Sequence, residues 1–384
     1  MAHHNTIFSQ LLRFVPRHQF EQLSKQHHQG QKLRKTNRWL QFVALMLGQL
    51  SGRHSLRDIE ANLQAQSQRL YHLGASPVAR SSLSRLNEQQ PYTLYEALFH
   101  RLYARCQQQV PGHRFRFKNK LYSLDASLID LSLKVFPWAH YALGKAAMKL
   151  HVSLDHDGHL PAFAAITAGK VSDIEIGRTL RYAPGSIVIF DKGYTDYQWF
   201  KRLNEKGVFF VTRLRKNALW RVDERRVVDK RKGLICDQTI TLTGIKPTQL
   251  EMPPLRRIGY RDPQTGQRYA FLTNHFQLSA KTIAEIYKER WQIELFFKWI
   301  KQNLKIKSFL GTSKNAILTQ IWIALCTHLL IAYIKFSSRI EGSMQTVLRL
   351  LQLNLFMRRD LMALLKQASP PDPSIPDPQM RMAL

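Results

Sequence analysis

The stretch YKERWQIELFFKWIK, residues 287–301, separates into a polar and an apolar side when it is drawn as a helix. Its polar residues recur at helical spacing: Tyr287, Arg290, Glu294 and Lys301. A helix rotates by about 100° per residue, so these side chains fall within an arc of about 60° around its axis. Apolar side chains occupy the opposite side: Ile286, Ile293, Phe296, Trp299 and Ile300. The pattern predicts an amphipathic helix whose polar row suits a site that holds a divalent metal and phosphates together.

The spacing of this row carries a family resemblance. Tyrosine, two residues, arginine, three residues, glutamate, six residues and lysine follow one another without a gap. In this spacing the chain resembles the insertion-sequence-four family of DDE transposases. The resemblance implies that Glu294 is the third metal-binding carboxylate and that two aspartates lie upstream on strands. It also implies that Tyr287, Arg290 and Lys301 lie near a DNA end.

Two aspartates are candidates for the first and second carboxylates. Asp125 follows a short strand-like run that begins at Leu121. Asp191 follows the apolar run Ile187–Phe190 and precedes a turn at Gly193. A carboxylate at the end of a buried strand is held rigidly, as the ligands of two neighbouring cations must be. Both positions resemble the family's aspartates, the second of which is usually followed by a basic residue, a glycine and an aromatic residue.

Each candidate also has a simpler structural interpretation. A strand-end aspartate often caps a turn or a helix, and four further aspartates are interpreted in this way: Asp130, Asp155, Asp157 and Asp196. The polar row could be a solvated helix face. Two strand-terminal aspartates in the right order, followed by a glutamate inside an intact Tyr-Arg-Glu-Lys row, favour catalysis.

The composition indicates a nucleic-acid partner. The chain has 57 Lys+Arg against 27 Asp+Glu, which gives a formal net charge of +30, and such a chain binds polyanions. Its cysteines, Cys106, Cys236 and Cys326, are far apart and odd in number. They argue against a disulfide framework and a zinc site, and they fit a reducing compartment. We therefore expect a cytoplasmic protein, associated with the nucleoid when it is bound to DNA.

One apolar segment, residues 317–334, has the length of a membrane-spanning helix and no formally charged residue. Polar residues interrupt it: Thr319, Gln320, Thr327 and His328. A helix packed within the protein explains the same pattern. We therefore expect no membrane partner.

The order of predicted elements gives the fold class. A first strand ends at Asp125, residues 149–154 and 161–167 form a hairpin, and further strands precede Asp191 and cover residues 208–214. Helices are predicted over residues 174–182 and 197–206. This order is what an RNase H-like sheet would give. The prediction is therefore an α/β fold with an RNase H-like catalytic domain, interrupted by a β-rich insertion that the resemblance implies, between helical N-terminal and C-terminal regions.

The predicted regions follow from these patterns. They are a helical N-terminal DNA-binding domain (1–110), the first part of the catalytic core (111–215), the β-rich insertion (216–279), the core helix that carries the glutamate (280–310), C-terminal helices (311–365) and a disordered, proline-rich tail (366–384). Within the first region, helices near residues 56–63 and 78–89 resemble a helix-turn-helix, although a solvated basic surface is the alternative.

Further residues are predicted to contact DNA. Lys192 follows Asp191 directly, and Lys298 lies on the same segment as Glu294. Basic residues in and before the insertion, such as Arg213 and Arg221, would form a clamp on the DNA end. Trp220 either stacks on a flipped base, as a tryptophan does in relatives, or packs in a small core, and packing is the simpler interpretation.

The function that the resemblance implies is cut-and-paste DNA transposition. Asp125, Asp191 and Glu294 would bind two Mg²⁺ ions, for which Mn²⁺ can substitute, to activate a water and to stabilise the departing 3′ oxygen. The expected partners are transposon ends, target DNA and a second protomer in a synaptic complex, with a hairpin as an intermediate. Two alternatives are an RNase H-like nuclease that does not join strands and a DNA-binding regulator that has lost catalysis, which the intact acids disfavour.

Overall fold

The structure, a computed structural model, describes residues 5–34, 36–142 and 145–366. These residues form two compact units. Within the described residues, the first unit comprises the chain up to Pro111, Ile129–Met148 and residues 297–366, and the second comprises Gly112–Leu128 and Lys149–Phe296. Of the predicted disordered tail, only Lys366 is described, and it ends a helix. The remainder lies outside the described residues, and the six-region division stays a prediction.

Helices make up most of the first unit and also occur in the second. They are α1 (Ile7–Leu12), α2 (Arg17–Gln26), α3 (Arg38–Ser51), α4 (Leu56–Ala65), α5 (Arg80–Gln89), α6 (Thr93–Gln107), α7 (Asp173–Gly177), α8 (Tyr197–Glu205), α9 (Ile245–Gln249), α10 (Ala280–Lys288), α11 (Trp291–Asn303), α12 (Lys314–Ser337), α13 (Met344–Asn354) and α14 (Leu361–Lys366).

The strands join in one mixed sheet. They are β1 (Leu121–Leu131), β2 (His140–Ala142), β3 (Lys145–Asp155), β4 (Leu160–Ala168), β5 (Ile187–Phe190), β6 (Phe209–Arg213), β7 (Trp220–Arg226), β8 (Leu234–Leu242), β9 (Leu255–Arg261) and β10 (Arg268–Thr273). Their order is β2-β3-β1-β5-β6-β10-β9-β8-β7, with β4 beside β3. Strands β1, β5 and β6 are parallel, whereas β10, β9, β8 and β7 continue the sheet in antiparallel pairs. The predicted α/β class is confirmed.

The central strand β5 explains why the sheet holds the functional residues rigidly. All four of its residues are buried, as expected for a parallel strand covered on both faces. Ile187 and Ile189 pack into the cluster that contains Ile286 and other residues of α10, whereas Val188 and Phe190 pack on the opposite face. A residue that follows β5 is therefore anchored by two hydrophobic layers.

The first strand was predicted to end at Asp125, but it extends further. Strand β1 continues to Leu131, and from Leu128 onward its residues alternate between exposure and burial, with Ile129 buried and Asp130 exposed. This alternation is typical of a half-covered strand. Only Leu121–Leu124 pair with β5, so Asp125 follows the paired stretch rather than the strand itself.

The helix predicted over residues 287–301 is interrupted. Helix α10 ends at Lys288 and α11 begins at Trp291, with a tight turn at Glu289 and Arg290. The Arg290 N–H donates to the Tyr287 carbonyl at 3.1 Å, and the Gln292 N–H donates to the Glu289 carbonyl at 3.0 Å. These bonds span three residues rather than four, so a short 3₁₀-like turn replaces the regular helix.

The two N-terminal helices likened to a helix-turn-helix are further apart than that motif allows. Helix α4 ends at Ala65 and α5 begins at Arg80, with two short 3₁₀ turns between them. A helix-turn-helix has a connection of only about three or four residues. The motif assignment is therefore wrong, and a DNA-binding role for this region stays a prediction.

The long apolar helix α12 lies in the core of the first unit. By length and composition it could cross a membrane, but nearly all of its most apolar window is buried within the protein. Its neighbours include Trp322 against Phe99 of α6, with ring centroids 5.3 Å apart. A buried core helix accounts for the absence of charge in this segment.

Candidate active site

The strand register places the first two predicted acids side by side. Strand β1 pairs with β5 from Leu121 opposite Ile187 to Leu124 opposite Phe190. The next residue on each strand is an aspartate, Asp125 and Asp191, and neighbouring strands lie only about 4.8 Å apart. Because side chains alternate along a strand, both aspartates are on the same face of the sheet as Leu121 and Ile187, the face that packs against α10.

Arg290 connects the first acid to the third. Its Nη1 lies 3.3 Å from Asp125 Oδ2, and its Nη2 lies 2.5 Å from Glu294 Oε1. Glu294 is one helical turn beyond Arg290, so the interruption of the helix leaves this pair intact. One guanidinium fork therefore fixes two carboxylates from different elements. The structure brings together the three acids that the sequence singled out.

Asp191 is positioned by the turn that it begins. Its Oδ1 accepts a hydrogen bond from the Gly193 N–H at 2.5 Å, and its Oδ2 lies 3.4 Å from Arg213 Nη2. Arg213 is on β6, where Val211 pairs with Ile189 of β5. Two residues further along each strand, Arg213 and Asp191 come opposite one another. Arg213 was predicted to belong to a DNA clamp, and only the strand register reveals its place beside Asp191.

Tyr287 is a core residue rather than part of an exposed polar row. Its side chain is only 7% exposed, and its ring lies 4.8 Å from that of Phe271. The guanidinium carbons of Arg213 and Arg290 are each 5.9 Å from the Tyr287 ring centroid. The Tyr287 ring is therefore close to both arginines that hold the acids. A direct contact between Tyr287 and DNA stays a prediction.

The charge around Asp125 shows that the acids repel one another. The pKa of Asp125 is raised to about 6, chiefly by burial and in part by the neighbouring carboxylates of Glu294 and Asp191, against the opposing effects of the Ala126 N–H and Arg290. A bound cation would relieve this repulsion. The side chains of Asp191 and Glu294 are 32% and 33% exposed, so their oxygens can be reached. An all-oxygen donor set of this kind fits Mg²⁺ or Mn²⁺.

The other predicted DNA contacts are distributed over both units. Lys192 is exposed beside Asp191. Lys298 and Lys301 are half-buried on the part of α11 that belongs to the first unit, and burial together with Lys307 lowers the pKa of Lys301. Trp220 packs against a core cluster of the second unit, with the Arg257 guanidinium 5.1 Å from its ring centroid. This position favours the packing interpretation of Trp220.

Four acids interpreted as structural have the following positions. Asp196 caps α8 and pairs with Arg178. Asp155 and Asp157 both pair with Lys120, at 3.1 and 2.5 Å. Asp130 is exposed on β1. Capping or ion pairing accounts for three of them, of which Asp155 is buried, and the fourth is at an exposed strand position.

Comparison with known proteins decides the family. A family model described as "Transposase DDE domain" matches residues 116–330, which contain all three acids. The chain belongs to the DDE transposase family. As a member of this family, the transposase is an enzyme with transposase or endonuclease activity. A second model, a domain of unknown function called DUF4372, matches residues 3–76.

Relatives of the transposase come from several bacteria. It is 34% identical to the putative transposase y4zB of Sinorhizobium fredii, over 76% of this chain and 81% of that protein. It is 26% identical to a probable transposase for insertion sequence element IS5377 of Geobacillus stearothermophilus, over 66% of this chain and 67% of that protein. Among solved structures, a piggyBac transposase synaptic complex with hairpin DNA matches 93% of this chain and 80% of that chain, with a TM-score of 0.43 and 11% identity.

Mg²⁺ binding by the transposase is expected to depend on pH through Asp125. The pKa of this carboxyl, about 6, is above the ordinary aspartate value. A proton therefore competes with the metal below about pH 6 but not above it. We expect the association constant to rise roughly tenfold per pH unit from about pH 5 to pH 6 and to level off near pH 7. Calorimetric titration of the full chain measures this, and a constant affinity across that range would contradict it.

Replacing Arg290 with lysine is expected to slow DNA cleavage by about 10²-fold. A lysine ammonium is a single point charge and cannot hold Asp125 and Glu294 at once. Cleavage rates measured against Mg²⁺ concentration test this, because a positioning defect raises the Mg²⁺ concentration for half-maximal rate whereas loss of a DNA contact alone raises only the DNA dissociation constant. Arg178→Lys, at the exposed ion pair with Asp196, is the matched control and should cleave as the unmodified protein does.

Proposed function

We propose that this transposase binds the terminal inverted repeats of an insertion sequence and catalyses metal-dependent cleavage and transfer of the DNA strand ends. The observation that carries the proposal is the convergence of Asp125, Asp191 and Glu294, two of them held by the Arg290 fork. The uninterrupted Tyr-Arg-Glu-Lys spacing supports membership of the insertion-sequence-four group in particular. The strand order β4-β3-β1-β5-β6 supports an RNase H-like core.

The three carboxylates would hold two Mg²⁺ ions, and Mn²⁺ could replace them. When bound, these ions supply activation of a water nucleophile and stabilisation of the departing 3′ oxygen. The protein's own residues do the positioning. Arg290 and Arg213 would orient the carboxylates towards a common metal site. Exposed Lys192, beside Asp191, would hold a phosphate of the DNA end.

Strands β7–β10 would act as the clamp on DNA. They extend the sheet beyond β6 and lie between Asp191 and Glu294 in the chain. Their exposed basic residues include Arg221, which is 73% exposed at its side chain, and Arg231, which is 94% exposed. Such side chains neutralise phosphates without reading sequence. Recognition of the repeat sequence is then assigned to the N-terminal helical region, where Arg80 and Arg85 of α5 line one groove together with Arg57.

Transposition would need two DNA ends and hence two protomers. Each chain would bind one end, where water would hydrolyse the boundary phosphodiester and free a 3′-OH. This 3′-OH would attack the opposite strand to form a hairpin and release the flanking DNA, and a second water would hydrolyse the hairpin to free the 3′-OH again for joining to target DNA. The same pocket would serve each step, because in each one an oxygen nucleophile attacks a phosphodiester and a 3′ oxygen departs. The protein would associate with the nucleoid while it is bound.

The test is an assay on a duplex that carries the inverted repeats flanking this gene. The full chain is incubated with Mg²⁺ and a second, unrelated duplex, and products are separated on a denaturing gel. Nicks at the repeat boundary, a hairpin product and joined strands are expected. Cleavage without joining would instead indicate a nuclease. Binding without any Mg²⁺-dependent cleavage would indicate a DNA-binding regulator.

A further inference from the structure

A second group of metal-ligating side chains lies in the second unit and shares no residue with the three carboxylates. His156, His159 and Glu289 each present one ligand atom, and these atoms all lie within 4.8 Å of one another. We propose that this histidine–glutamate cluster binds one divalent transition-metal ion, with Zn²⁺ as the best match. The proposal concerns a site beyond the transposition chemistry and does not depend on it.

His156 is prepared to be a ligand. It is only 2% exposed, and its Nε2 lies 2.7 Å from Ser123 Oγ. Its Nδ1 is buried and has no hydrogen-bond partner among the described residues. A buried polar atom without a partner costs stability. Metal-binding histidines are commonly held by a hydrogen bond at one ring nitrogen while the other binds the ion, and His156 has that arrangement.

Glu289 supplies an oxygen to the same place. Its Oε1 lies 2.5 Å from Arg114 Nη2, and its Oε2 lies 3.9 Å from His156 Nδ1. The distance to His156 is too long for a hydrogen bond, but an ion between the two atoms would bond to both with small shifts. Arg114 would then orient the carboxylate from outside the metal site. Burial raises the pKa of Glu289, and Arg114 opposes that effect.

His159 completes the group from a strained backbone position. It has φ +52° and follows Gly158 at φ +67° in the turn between β3 and β4. A histidine in the left-handed region is uncommon and costs energy, and such residues cluster at functional sites. The conformation places the His159 ring 5.8 Å from that of His156. Metal binding by His159 would account for the strained backbone at this residue.

A nearby histidine does not belong to the group. Both ring nitrogens of His113 already have partners, since Nε2 lies 2.8 Å from the Asn119 carbonyl and Nδ1 accepts from the Phe115 N–H at 3.3 Å. By contrast, burial and the adjacent His159 lower the pKa of His156 to about 3. Its imidazole is neutral at physiological pH, which is the form that binds metals.

The ligand chemistry selects the ion. Two imidazoles and one carboxylate suit Zn²⁺ with a fourth position open, whereas Mg²⁺ prefers oxygen ligands only. The ion would tie the β3–β4 turn to the junction of α10 and α11. Arg290, which holds two of the acids, is the next residue after Glu289. The metal would therefore rigidify the turn that aims the Arg290 fork. Cysteine number and spacing do not reveal this set, because none of its ligands is a cysteine.

The experiment measures Zn²⁺ binding to the full chain after chelator treatment, with Mg²⁺ in excess to occupy the carboxylate site. We expect about one tightly bound Zn²⁺ per chain, and Co²⁺ in its place should give the visible absorption of a four-coordinate ion. His159→Asn removes the imidazole but tolerates the left-handed backbone. We expect it to weaken Zn²⁺ binding at least tenfold and to remove the increase in melting temperature that Zn²⁺ gives the unmodified protein.

Two further variants keep the result unambiguous. His18→Asn, at an exposed histidine of α2, should bind Zn²⁺ as the unmodified protein does. Asp191→Ala should also retain the Zn²⁺ site, which separates it from the catalytic carboxylates. Unchanged Zn²⁺ stoichiometry and affinity in a folded His159→Asn protein would overturn the proposal. Loss of Zn²⁺ binding in Asp191→Ala would overturn it as well, because the ion would then belong to the carboxylate site.

Discussion

Glu294→Gln is expected to reduce Mg²⁺-dependent cleavage by at least about 10³-fold while DNA binding changes little. The amide keeps the shape of the carboxylate but loses its charge, and hard divalent cations need the charge. Glu294 is also the acid nearest to Arg290, at 2.5 Å. Glutamine removes the ion pair at this position, so the Arg290 guanidinium would pair with Asp125 alone.

The matched control is Glu285→Gln. Glu285 is on α10, and its side chain is 42% exposed in an ion pair with Lys281 at 3.6 Å. Exposed pairs of this kind contribute little, so the control should cleave and join as the unmodified protein does. Single-turnover cleavage rates and DNA dissociation constants at one salt concentration measure both effects. Cleavage by Glu294→Gln at the unmodified rate would remove this residue from the metal site.

The sequence predicted the acids because their signals are local. Glu294 is found from spacing along one segment, and Asp191 from the buried run Ile187–Phe190 that precedes it. Such runs are recognisable because a central parallel strand is apolar on both faces. Strands β4, β5 and β6 and helix α8 were placed within one or two residues for the same reason, whereas β3 begins four residues earlier than predicted and α7 proved shorter than predicted.

Features that depend on long-range contacts could not be predicted in this way. Strand β1 runs past Asp125 to Leu131, and the helix breaks at Glu289, although no local pattern marks either feature. Arg114 holds Glu289, at 2.5 Å, and strand register alone brings Arg213 to Asp191. A helical projection placed Tyr287 in the polar row, although packing against Phe271 buries it. Periodicity identifies a face but not what covers it.

Gly193→Ala is expected to lower the cleavage rate by about 10²-fold with little change in overall stability. A Cβ at this position would lie 2.7 Å from Asp191 Oδ1, closer than such atoms approach in proteins. The Gly193 N–H also donates to the same oxygen at 2.5 Å. The added methyl group would therefore push the carboxylate out of its hydrogen bond, and a metal ligand displaced by a fraction of an ångström no longer matches the ion.

A second glycine separates this effect from a general loss of backbone freedom. At Gly112 an added Cβ would meet Asp157 Oδ1 only at 3.9 Å, an ordinary contact, so Gly112→Ala should retain full activity. The rate of cleavage at saturating Mg²⁺ and the Mg²⁺ concentration for half-maximal rate distinguish the cases. A displaced Asp191 raises that concentration and lowers the rate together. If Gly193→Ala and Gly112→Ala cleave equally fast, the Asp191 carboxylate is not held by this turn, and a different element must position the second acid.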